Sequence, residues 1–140
     1  MAASLTRMVR FSAQHRYFRP EWSEEQNRAA FGACAEAPGH GHDYLCAVSV
    51  SGPVQPETGM ILDLGLLDRI LTEEVVRPFD GRHLNLDVPA FAYGRAVPTG
   101  EVVAAYLFQR IAARLPAGVR LDRVRVQEDP TLYADCTGTA

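Results

Sequence analysis

The pair His40-Gly41-His42 runs straight into a stretch of alternating character, and this junction constrains the chain more than any other feature. From Asp43 to Ser51 the residues follow the period of two that a strand imposes, so His40, His42, Tyr44, Cys46, Val48 and Val50 form one set facing one way. The two imidazoles therefore share a side. An earlier alternating segment, Leu5 to Tyr17, carries Val9, Phe11, Ala13 and His15 on one face and Arg10, Ser12, Gln14 and Arg16 on the other. An antiparallel pairing of the two strands would let His15 complete a facial set of three nitrogens. Three neutral donors leave a dication its full charge and an open fourth position, as in catalytic rather than closed structural zinc sites. The competing reading makes His40 and His42 ordinary turn residues and His15 the cap of a strand.

The rest of the chain supplies helices to cover such a sheet. Ser23-Glu24-Glu25-Gln26 has the form of a capping box and opens a short helix toward Phe31, with Gly32 as its stop. Asp63 is placed as the N-cap of a longer helix whose apolar positions Leu66, Leu67, Ile70, Leu71 and Val75 fall at helical spacing, ending before Pro78. Phe79 to Val97 reads as a long irregular segment, of the kind that carries function in compact domains. Pro98-Thr99 opens another helix with Val102, Val103, Tyr106, Leu107, Ile111 and Leu115 as its inward stripe, closed by Pro116 and Gly118. Val119 to Gln127 alternates as a third strand, Glu128-Asp129-Pro130 turns, and Thr131 to Cys136 makes a fourth. The order predicts an α+β fold, a four-stranded antiparallel sheet with two helices packed on one face, as a single domain over residues 1–140. Open sheet edges of this kind invite pairing with further subunits.

Composition narrows the chemistry. All 14 basic residues are arginines, which excludes a lysine Schiff base, and a formal net charge of -3 argues against general nucleic-acid affinity while leaving room for a local basic pocket. Three cysteines, Cys34, Cys46 and Cys136, lack the spacing of a disulfide framework and point to a reducing compartment. With no apolar run near the ~20 residues of a membrane helix and no leader pattern, the cytoplasm is the expected location. Cys46 and Cys136 sit in predicted strand interiors and read as structural. Cys34 is either a small buried residue or, close to a dication, a thiolate base. Glu36 is a rival base, and Asp80 with His83 is a candidate acid/base pair, unless Asp80 simply caps its loop. Glu101 and Glu128 would become functional if aimed at a guanidine-like pair of N–H groups.

Taken together, Phe11-Ser12-Ala13-Gln14-His15-Arg16, the run Phe31-Gly32-Ala33-Cys34 through His40-Gly41-His42-Asp43-Tyr44, Gly59 to Asp63, Leu84 to Pro89, Pro98-Thr99-Gly100-Glu101 and Val126-Gln127-Glu128 cover nearly the whole chain. This set resembles the family of 6-pyruvoyltetrahydropterin synthase and 6-carboxytetrahydropterin synthase, with Asp43 in the usual Asn place. The resemblance implies the tunnelling fold, in which trimers close their sheets into a barrel and two trimers stack into a homohexamer with sites at subunit interfaces. It implies Zn2+ on His15, His40 and His42, a pterin triphosphate substrate anchored by Glu128 with Thr99 and Glu101 assisting, and proton transfer by Cys34. One departure stands out. The family's Leu-Asp-His motif, source of an acid/base dyad, is Phe79-Asp80-Gly81 here, and His83 is the histidine left to replace the missing partner. Expected outcomes are therefore a zinc-dependent lyase making 6-pyruvoyl- or 6-carboxytetrahydropterin. The alternatives are a pterin-binding paralogue with little turnover, side-chain cleavage to a 6-hydroxymethylpterin, and a zinc hydrolase.

Overall fold

The computed structural model describes residues 2–138. Its elements, in chain order, are β1 (Ala2–His15), α1 (Glu24–Phe31), β2 (His40–Pro53), α2 (Leu64–Leu71), α3 (Arg77–Phe79), β3 (Arg82–His83), α4 (Leu84–Asp87), α5 (Gly100–Ala112), β4 (Arg120–Asp129) and β5 (Leu132–Cys136). The alternating segments found their places because each has one apolar side to bury. β1 and β2 pair antiparallel over their whole length, from Ala2 opposite Pro53 to His15 opposite His40. β2 then pairs with β4 and β4 with β5, both antiparallel, and the sheet order is β3-β1-β2-β4-β5.

The fold class is as expected, but the sheet has five strands, not four. The extra strand is Arg82–His83, which runs parallel to β1 with Arg82 beside Ala13 and His83 beside Gln14. Two residues carry no readable periodicity; this strand forms because the chain leaving α3 is docked onto the β1 edge by Gly81 N–H donating to the Ser12 carbonyl. A second difference concerns Pro78. The helix predicted to end before it instead continues through a wider turn, Thr72–Val76, into α3. The Arg77 N–H reaches back to the Thr72 carbonyl, a five-residue step that opens the spiral, and Pro78 then occupies a first-turn position where its missing N–H is not needed. Third, β4 runs on to Asp129, so Glu128 belongs to a strand and the turn sits at Pro130 and Thr131.

One face of the sheet carries the core. Phe11, Tyr44, Cys46, Val48, Val124 and Val126 are fully or almost fully buried there against Leu67, Ile70 and Leu71 of α2 and Val103, Leu107 and Ile111 of α5. Phe11 stacks on Tyr44 at 4.7 Å and meets Phe79 edge-on at 5.4 Å. Each such side chain contributes about 1.5–3 kcal/mol on burial. Arg7, on the same side, grips Asp68 of α2 through two hydrogen bonds of 2.8 and 3.0 Å. The predicted caps are present: Ser23 and Gln26 close the reciprocal box on α1, Asp63 caps α2, and Thr99 caps α5. The opposite face of β1 presents Thr6, Met8, Arg10, Ser12 and Gln14, with Met8 exposed.

Candidate metal centre and adjoining cleft

The three histidines converge where β1 ends and β2 begins. Register places His15 opposite His40, alternation puts His42 on the same side, and one nitrogen from each ring lies within 4.8 Å of the others. The His15 ring is fully buried. Its Nδ1–H donates to the Pro98 carbonyl at 2.8 Å, with the Tyr44 hydroxyl 3.0 Å from the same nitrogen, which leaves Nε2 as the bare lone pair facing His40 Nε2 at 3.0 Å. Burial lowers the His15 pKa to about 4, and burial also lowers that of His40, each helped by neighbouring imidazoles. His42 Nε2 is buried and has no hydrogen-bond partner among the described residues. A buried ring held in one tautomer at His15 and an orphaned inward nitrogen at His42 are what a metal asks of histidine ligands, so the three residues fit a metal ion.

Next to this cluster lies a cleft of about 250 Å³ lined by Tyr17, Thr99, Gly100, Glu101, Glu128 and Tyr133. The structure thus brings Thr99 and Glu101, neighbours at the start of α5, together with Glu128 from the far strand β4. Alternation along β4 turns Val124, Val126 and Glu128 inward, and Glu128 is 7% exposed. Its Oε1 accepts from the Tyr17 hydroxyl at 3.1 Å, and its Oε2 stands 3.8 Å from His42 Nε2. Thr99 accepts from the Val102 N–H at the start of α5, and Glu101 follows in the first turn. Cys34 lies half-buried on the short turn Gly32–Ala35, whose Cys34 carbonyl accepts from the Tyr17 N–H at 3.0 Å. Cys46, by contrast, is buried in the sheet and its thiol is pushed up to about 12, as a structural residue should be.

The family model described as 6-pyruvoyl tetrahydropterin synthase matches residues 4–139. The chain belongs to the 6-pyruvoyl tetrahydropterin synthase family. It is 40% identical over 126 residues to human 6-pyruvoyl tetrahydrobiopterin synthase, covering 90% of this chain and 85% of that one. The structure of the Caenorhabditis elegans 6-pyruvoyl tetrahydropterin synthase superposes with a TM-score of 0.91 at 31% identity, over 99% of this chain and 97% of that one. A more distant relative, the dihydroneopterin monophosphate aldolase of Pyrococcus furiosus, is 27% identical over 128 residues, 91% of each chain.

Within this pterin synthase fold, the other candidates lie apart from the cleft. Asp80 Oδ1 accepts from the Ser12 N–H at 2.9 Å, so its carboxylate caps the β1 edge. His83 Nε2–H donates to the Pro38 carbonyl at 2.7 Å, and its ring lines a second cavity of about 560 Å³ with Ser12, Gln14, Gly41, His42 and Asp43. The two side chains do not hydrogen-bond each other among the described residues. His83 Nδ1 is buried and has no hydrogen-bond partner among the described residues. Glu36 is exposed and lines another pocket with Arg16 and Arg28. Sequence reasoning missed Tyr17, the Pro98 carbonyl and the hydrogen bond of Tyr44. Tyr17 carried a weak signal, an aromatic residue two positions beyond a ligand histidine. A backbone carbonyl carries none.

Proposed function

We propose that this protein is a zinc-dependent lyase that converts 7,8-dihydroneopterin triphosphate to 6-pyruvoyl- or 6-carboxytetrahydropterin. The observation that carries the reading is the sharing of one wall, Tyr17 and Glu128, between a three-histidine cluster and a cleft with a buried carboxylate. A pterin's amide-and-amine edge presents two parallel N–H donors, and a carboxylate accepts them in bidentate fashion, so Glu128 orients the ring and Thr99 and Glu101 flank it. Zinc held by His15, His40 and His42 would supply Lewis acidity at the substrate's side-chain hydroxyls. Cys34 takes a proton from the side chain and returns one to the ring, assigning the thiol the role of general base and then acid. Asp80 and His83 stand off the cleft in this conformation, and His83, which shares the neighbouring cavity with His42, is the residue assigned to stand in for the histidine that Gly81 replaces.

The reading is tested by incubating the zinc-loaded protein with dihydroneopterin triphosphate and identifying products by mass. Either tetrahydropterin with triphosphate release supports it; no turnover over hours leaves a pterin-binding paralogue. A second outcome is favoured by Gly81 and by the similarity to the Pyrococcus aldolase. Release of a 6-hydroxymethylpterin would establish side-chain cleavage in place of elimination. His42→Ala should lose most of its zinc by metal analysis, and full retention would refute the ligand set.

A further inference from the structure

Tyr17 joins three parts of the site that the sequence keeps separate. Its ring meets His15 edge-on at 4.8 Å and His40 at 6.2 Å. Its backbone N–H holds the turn that carries Cys34, and its hydroxyl donates to Glu128 Oε1. Glu128 needs such a partner. Its other oxygen is already 3.8 Å from His42 Nε2, and a carboxylate this close to one member of the histidine cluster is a candidate additional ligand for a metal held there. As a ligand it would close the open position and would no longer face the cleft.

We infer that Tyr17 is a positioning residue that pins the Glu128 carboxylate toward the cleft and keeps it out of the metal's coordination sphere. The inference rests on the pterin reading for the cleft, but its metal half is independent of it. A hydrogen bond from a neutral donor to a charged acceptor fixes the carboxylate plane at one oxygen and leaves three lone-pair directions for a ligand's N–H groups. Removing the hydroxyl frees the carboxylate to rotate toward His42. The ring, which packs on His15 and His40, is untouched by that change.

The test is Tyr17→Phe, with Glu128→Gln and the double variant, all checked for wild-type melting behaviour. Neopterin binding, followed by its fluorescence, should weaken about tenfold in Tyr17→Phe, the scale of one charge-assisted hydrogen bond. On the Glu128→Gln background the same change should have little further effect, because Tyr17 acts through that carboxylate. Cobalt-substituted protein reports the metal directly: Tyr17→Phe should alter the visible d–d spectrum, and the double variant should restore it toward wild type. Equal spectra together with additive binding losses would overturn the inference. Wild-type protein that binds no neopterin would sink the pterin reading instead, while the cobalt spectra would still decide whether Tyr17 controls Glu128.

Discussion

His15 combines full burial with a pKa of about 4, well below the ordinary 6.5. Between those values the unfolded chain carries a proton that the folded chain refuses, so this group's contribution is complete above about pH 6.5 and is lost as pH falls through 4. Metal-free protein should lose on the order of 3 kcal/mol from this source across that window. Urea midpoints at pH 7 and pH 4.5 measure it, and His15→Gln should flatten the difference. Cys34→Ala should lower kcat by roughly 10²- to 10⁴-fold, the span of a general acid/base, while zinc content and neopterin binding stay near wild type. Equal turnover would remove the thiol from the mechanism. At this scale the sequence was legible where side-chain type and spacing did the work, as for the shared side of His40 and His42, whereas Thr99 and Glu128 were assigned to the site only through the family resemblance. Asp80 and His83 were less so, because whether two residues three apart in a loop face each other depends on what the loop docks against, and here Asp80 turned to the Ser12 backbone and His83 to Pro38.

The elements hold these side chains through a few tight passages. Gly39, immediately before β2, has φ +113°, and a Cβ there would collide with the His15 carbonyl. Only glycine lets the second ligand strand approach the first this closely. Gly39→Ala should therefore destabilise the protein by about 2–4 kcal/mol and reduce zinc retention, read from a thermal melt and metal analysis of the same sample. Periodicity located β1, β2, β4, β5 and the long helices because each has a face to bury. It missed β3, too short to have a period, and the wide turn ahead of Pro78, where tertiary packing of Leu71, Val75 and Phe79 keeps the spiral turning past a residue that ordinarily stops it.

At the scale of the whole molecule, uncovered apolar surface lies at the borders of the sheet. β5 ends the sheet with Leu132 and Tyr133 half exposed, and the face away from the helices leaves Met8 uncovered. An edge and a face of this kind suit pairing with further copies, and the family resemblance implies a homohexamer. Sedimentation should give six times the mass of one chain, and a monomer at micromolar concentration would contradict the expectation.

Gly81 takes φ +72°, yet a Cβ placed there meets nothing within 4 Å. The vacancy is thus conformational in cost and not steric, about 1 kcal/mol for a residue entering the left-handed region, where histidine is tolerated better than most. A single substitution, Gly81→His, would set a histidine beside Asp80 at that modest cost.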